Sequence, residues 1–192
     1  MDLRLLKIGP DRVKEVHEVI RKCSQHLRSR SDLGNYWNPP YPLELMAKDA
    51  AEKDVCAVRH GNRTVATFTL DTKPPTWFER RAYSHMWESP EKKAMYLGRL
   101  AVLPELQGSG IGSWCLARIE ELAKQAGCVA IRLDAYERYT ELLEFYEKRG
   151  YRRRGTISWR DMKCVCFEKI LGKEGEGPIL PRGSEESSDG LR

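Results

Sequence analysis

Nothing in this chain approaches the run of about eighteen apolar residues that a membrane helix needs, and the opening Met-Asp-Leu-Arg-Leu-Leu-Lys carries no long apolar stretch. A membrane partner is therefore not expected, and the sequence reads as that of a soluble, cytoplasmic protein. The six cysteines (Cys23, Cys56, Cys115, Cys128, Cys164 and Cys166) form no Cys-x-x-Cys pair. Several fall on apolar faces, so buried free thiols are expected and a zinc or other metal site is not. No segment repeats at a period of about 20 to 50 residues. Charge is only mildly one-sided, at +5. Without an aromatic-basic RNA motif or a DNA-reading motif, nucleic acid is not expected as a partner. The triplet Arg152-Arg153-Arg154 reads as a solvated strand edge. Residues 172–192 are rich in Gly, Glu, Ser and Pro with almost no apolar content, which predicts a disordered tail. That leaves residues 1–171 as a single domain with one core.

What is present is concentrated between Met95 and Trp114. Leu97, Leu100, Val102 and Leu103 mark a strand that Pro104 stops. Gln107-Gly-Ser-Gly-Ile-Gly112 follows as a glycine-rich turn. Ile111, Cys115, Ile119, Leu122 and Ala126 then recur at helical spacing, and Gly127 stands at the expected helix end. A glycine-rich turn feeding a helix brings backbone N–H groups and the positive end of the helix dipole to one place. Such a turn seats a phosphate or pyrophosphate. It can also be a tight turn with no ligand. The P-loop pattern fails because no Lys follows the glycines, and the dinucleotide pattern fails because Ser113 stands where its third glycine belongs.

Elsewhere the pattern predicts a strand over 3–8 and a helix from Asp11, as cap, to about Arg28, with Val13, Val16, Val19, Ile20, Cys23 and Leu27 on one face. A second helix is predicted over 43–51. Strands over 55–60 and 63–71 are joined by Gly61-Asn62, a primed hairpin turn. Strands over 128–133, 151–159 and 162–170 and a helix over 139–149 complete the reading.

Gln107, Gly110 and Gly112 satisfy Gln-x-x-Gly-x-Gly, after a strand ending Leu-Ala-Val-x-Pro-Glu. This resembles the acyl-CoA-binding motif of the GNAT (GCN5-related N-acetyltransferase) superfamily. A second matching stretch runs from Leu133-Asp-Ala to Phe145-Tyr-Glu-Lys-Arg-Gly-Tyr151, so the resemblance covers about 95–155. It implies an α+β fold: a mixed, mostly antiparallel central sheet, splayed at the acyl-CoA site, with helices on both faces. The element order β, α, α, β, β, β, α, β, α, β, β matches that arrangement.

The same resemblance implies the site. Acetyl-CoA is the cosubstrate. Its pyrophosphate would lie on Gln107, Gly108, Ser109, Gly110, Ile111, Gly112 and Ser113, and its pantetheine arm along the main chain of Leu100, Ala101 and Val102. Tyr146 matches the tyrosine that protonates the leaving thiolate, a transfer from a phenol near pKa ~10 to a thiolate near ~8.5. Tyr139 stands where the family usually has an Asn that contacts the cofactor, and Leu142 where a small Ala is common. The strand glutamate that serves many relatives as general base is replaced by about Tyr96. Glu88, Glu91 and His85 lie just upstream, and none is singled out.

The implied activity is direct acetyl transfer from acetyl-CoA to a primary amine. The acceptor is a small molecule or a peptide. It would enter between Tyr36-Trp37-Tyr41 and the stretch from Trp77 to Trp87, whose rings suit an apolar body, a cation, or a homodimer contact. Two other readings stay open: a protein or peptide N-terminal acetyltransferase, and a GNAT-like module that binds CoA without turnover.

Overall fold

The computed structural model describes residues 2–33, 37, 39–75, 85–159 and 162–172. The tail expected at 172–192 lies outside the described residues except for Gly172, as do Tyr36, Trp77, Phe78 and Tyr83 of the proposed acceptor entrance.

The chain begins with β1 (Leu3–Lys7) and a short 3-10 turn, Pro10–Arg12, that leads into α1 (Val13–Arg28). Asp11 is not the cap expected of it: Arg12 occupies that position and makes no side-chain capping bond, because the 3-10 turn displaces the helix start. The predicted stripe on α1 is buried, with Ser24 added to it. Next come α2 (Leu43–Glu52), β2 (Asp54–His60), β3 (Arg63–Asp71) and β4 (Ala94–Val102). A 3-10 turn at Pro104–Leu106 precedes α3 (Ile111–Gln125), β5 (Ala130–Tyr136), α4 (Thr140–Glu147), β6 (Arg152–Trp159) and β7 (Met162–Ile170). The strand after α3 thus runs three residues past the predicted Leu133, and α4 is shorter than predicted.

One seven-stranded sheet results, in the order β1-β2-β3-β4-β5-β7-β6. Every neighbouring pair is antiparallel except β4 with β5. Helices cover both faces. Leu27 of α1 clusters with Tyr136 of β5, whereas Tyr146 of α4 packs on Phe167 of β7. Tyr136 pairs with Cys164 and Leu133 with Phe167, so strand alternation puts these contacts on opposite faces. Glu120 of α3 bonds Lys169, two residues from Phe167 on the same strand, so α3 lies on the α4 face.

On the α1 face, the β5–β7–β6 half is covered by Trp87, which clusters with Tyr96, Ala130, Ile157, Cys164 and Cys166. There the wholly buried Arg132 donates its Nε to Glu168 at 2.9 Å and an Nη to the Ser89 carbonyl at 2.7 Å. Glu168 also accepts the Glu88 backbone N–H at 3.0 Å and lies 2.9 Å from Arg154. The expected solvated triplet is therefore divided. Arg152 and Arg153 are exposed on the edge strand β6, but Arg154 turns inward to a buried carboxylate.

Candidate active site

The site begins where two strands stop pairing. β4 and β5 are parallel and meet only through Ala94, Met95 and Tyr96 against Ala130, Ile131 and Arg132. Beyond that they diverge, and among the described residues Leu97–Val102 has a strand neighbour on the β3 side alone. The β3 ladder is itself interrupted: Thr67 faces Ala101 and Thr69 faces Gly98, so Arg99 and Leu100 together oppose Phe68. This two-against-one bulge bends β4 and breaks its alternation. Arg99 takes a positive φ of 53°, a conformation rare outside glycine.

A cavity of about 460 Å³ opens beside the splayed strands. Leu100, Ala101 and Val102 form one wall, Gln107, Gly108, Gly110, Gly112 and Ser113 another, and Tyr139, Leu142, Phe145 and Arg149 a third. Most of the residues the sequence pointed to are thus brought together. Three are not on the cavity wall. Ser109 turns its hydroxyl back to the Leu106 carbonyl at 2.6 Å. Ile111 is buried in the core, and so is Tyr146.

The main chain of β4 is used in two directions. Leu103 donates to Val65 of β3 at 2.9 Å. Alternation then turns the groups of Ala101 toward β3 and those of Val102 toward the opened side. There the Val102 carbonyl accepts from Gln107 Nε2 and from the Cys23 thiol, both at 3.1 Å. Gln107 therefore fixes the turn to the end of the strand. Burial, helped by the charge of Glu105, pushes the Cys23 thiol up to about 12, so it stays a neutral donor.

The glycines of the turn divide their roles. Gly110 sits at the start of α3 with φ 90°, and a Cβ there would point into open space. Gly112 is helical, and a Cβ on it would stand 3.1 Å from the Phe145 ring. It is small so that α3 and α4 can approach. The first backbone rung of α3 joins Trp114 N–H to Gly110 at 3.0 Å, so the N–H groups of Ile111, Gly112 and Ser113 precede the ladder. A positive charge stands beside them. The Arg149 guanidinium lies 3.9 Å over the Phe145 ring and bonds the Phe145 carbonyl at 2.9 Å and the Ser113 hydroxyl at 3.1 Å. Dipole, free N–H groups and guanidinium together suit a phosphate. The sequence reading does not single out Arg149, although its place just before Gly150 in the matched stretch is visible there.

The two tyrosines differ. Tyr146 makes edge contacts with Phe145 and Tyr151, at 5.4 and 5.6 Å between ring centroids. Burial, then the Asp134 charge, raises its phenol well above the usual value. Tyr139 lines the cavity directly. Burial also raises its phenol, against the opposing charge of Arg30, whose guanidinium lies 5.3 Å from the ring centroid. Arg30 also pairs at 2.9 Å with Glu141, another lining residue that the sequence reading does not single out. Tyr96, at the position of the usual strand glutamate, accepts from Arg132 at 3.2 Å.

A model of the acetyltransferase (GNAT) family matches residues 14–151. The chain belongs to that family. Solved structures with this fold include the PaiA N-acetyltransferase of Thermoplasma acidophilum in complex with coenzyme A, at 15% identity and TM-score 0.66, covering 88% of this chain and 99% of that one. A GNAT acetyltransferase of Streptococcus agalactiae gives 13% identity and TM-score 0.69, over 89% and 96% of the two chains. The ribosomal-protein-S18-alanine N-acetyltransferase of Escherichia coli gives 11% identity and TM-score 0.64, over 93% and 99%. No curated protein sequence matches the chain.

Proposed function

We propose that the protein transfers an acetyl group from acetyl-CoA directly to a primary amine, in a ternary complex. The observation that carries this reading is the cavity between the splayed β4 and β5, with the unpaired start of α3 and Arg149 at one end. The unpaired helix start and Arg149 would meet the anionic head of such a ligand, and membership of the family makes acyl-CoA the natural candidate. The main chain of Leu100 and the N–H of Val102, whose carbonyl is taken by Gln107 and Cys23, would pair with the amide groups of the pantetheine arm, as an added strand does. Gly108, Gly110, Ile111, Gly112 and Ser113 would hold the pyrophosphate.

In the reaction the amine nitrogen bonds to the thioester carbonyl carbon and the carbon–sulfur bond breaks. The amine loses a proton to water, and the departing thiolate gains one. N–H groups of β4 near Val102 would stabilise the oxyanion. Tyr146 is the proton donor that the family motif indicates. Tyr139 is a second candidate, favoured by its place on the cavity wall. Two helical turns separate them. The acceptor is a small amine or a peptide; the Escherichia coli structure is named for an alanine of ribosomal protein S18.

Acetyl-CoA at about 100 times its dissociation constant should raise stability by about 2.7 kcal/mol, read as a higher Tm. Gly110→Val should remove that rise, because it puts a branched side chain at φ 90° in front of the helix start. An unchanged rise in a folded Gly110→Val protein overturns the phosphate seat. Thiol release from acetyl-CoA, screened against amines, aminoglycosides and peptides, then tests turnover. Ligand-dependent stabilisation without thiol release would favour the non-catalytic module. With an accepted amine, Tyr146→Phe should lower turnover about 10²-fold at little cost in acetyl-CoA affinity. If Tyr139→Phe alone does so, the donor is Tyr139. If both variants and their double keep full turnover, neither is the acid.

A further inference from the structure

Arg99 is the residue of β4 that most needs an explanation. It is not glycine, yet it holds φ 53° in the bulge, next to a residue that lines the cavity. Strain of this kind persists only where surrounding contacts over-determine it. Those contacts are specific. The Arg99 guanidinium lies 3.7 Å over the Tyr41 ring and 3.0 Å from Asp49 Oδ2. The Tyr41 hydroxyl donates to the same Oδ2 at 2.9 Å, and Lys53 meets Oδ1 at 2.8 Å. The Tyr41 carbonyl in turn lies 2.9 Å from His17 Nε2 on α1. Asp49 is buried, so removing it would leave its donors facing a low-dielectric gap. Burial, above all, pushes the Tyr41 phenol up to about 12, which keeps it a donor at any working pH.

We propose that Asp49 is a positioning residue: through Arg99 and Tyr41 it holds the β4 bulge, and so aims the main-chain groups of Leu100 and Val102 into the cavity. This rests on the reading of that cavity as the acyl-CoA site. The clamp joins α1, α2 and the end of the α1–α2 connection to the strand that faces the cosubstrate. A packing role alone would not require the three donors on Asp49 to include the residue that carries the strained backbone of β4.

Two probes separate the clamp from general stability: coenzyme A, which has a pantetheine arm, and adenosine 3′,5′-bisphosphate, which lacks one. Both are titrated calorimetrically against the full chain. Asp49→Ala should weaken coenzyme A by about 10-fold, the equivalent of one lost hydrogen bond, while the bisphosphate changes by less than about 2-fold. Asp49→Asn keeps the volume and one acceptor, and should fall between. Arg99→Gly permits φ 53° without strain but removes the guanidinium, and should lose coenzyme A affinity like Asp49→Ala. The double variant should be no worse than either single one, because both act through one contact. Equal weakening of both probes, or unchanged coenzyme A affinity in folded Asp49→Ala and Arg99→Gly, overturns the clamp. A wild-type protein that binds neither probe overturns the acyl-CoA reading and the clamp with it.

Discussion

The two halves of the sheet are built on different physics. On the α1 face, β2 and β3 are closed by helices, and Val16, Val19, Ile20, Val55, Ala57 and Val65 make an apolar core there or beside it. On the same face of β5–β7–β6, the cover is Trp87 and its neighbours, and beneath it lies a charge network: Arg132 with Glu168, then Arg154 and Glu88. Apolar burial is non-directional and tolerates exchange of similar shapes. A buried carboxylate with several donors tolerates little, since each partner's position is fixed by hydrogen-bond geometry. One half is thus held by area and the other by register. The cavity opens where they part, after only three residue pairs between β4 and β5.

The largest expected effect strikes both halves together. The unfolded thiols titrate near 9.0, whereas burial pushes Cys23, Cys56, Cys115, Cys164 and Cys166 up to about 12 in the folded protein. Between these values the folded state holds more protons than the unfolded one, so stability falls as pH rises. Each such thiol removes about 1.4 kcal/mol per pH unit, and five of them exceed the whole stability of a typical domain, ~5–15 kcal/mol, within the window. Unfolding followed by far-UV circular dichroism under reducing conditions should therefore set in between about pH 9 and 12. Two separate transitions would show that the halves are independent.

Next in size, Arg132→Met takes from the buried Glu168 its wholly buried cationic partner, leaving it Arg154 and the Glu88 N–H, and should cost about 3 kcal/mol in urea denaturation, the low end for a broken buried pair. Replacing both partners by apolar residues should restore much of that, as the network is needed for register more than for stability. If Arg132→Met is nearly neutral, the contrast between the halves fails. The smallest effect belongs to the apolar half: Ile20→Val should cost only about 0.5–1.5 kcal/mol. A loss as large as that of Arg132→Met would remove the distinction.

Legibility follows the same division. The stripe on α1, the strand 63–71 and the glycine-rich turn from Gln107 to Gly112 are readable because period, turn chemistry and spacing are local properties. Arg154 is illegible for the opposite reason. Its neighbours Arg152 and Arg153 face water, and nothing within the triplet says that the third meets Glu168 of the adjacent strand. Asp49 and Arg99 lie far apart along the chain and share no motif, so their pairing has no signature in the sequence. The pattern around Gly112 suggests room for an anion, yet the close neighbour of its absent Cβ is Phe145.

By itself the sequence determined the order of strands and helices among the described residues, the glycine-rich start of α3 and the family motifs, because each depends on residues close along the chain. Only the tertiary structure decided that the splay implied by the family motifs begins after Tyr96, that Arg99 is held in a left-handed conformation, and that Tyr139 rather than Tyr146 stands on the cavity wall. Those outcomes depend on which side chains distant segments bring to the same place, and on the burial that makes one arrangement of charges and hydrogen bonds much less costly than the rest.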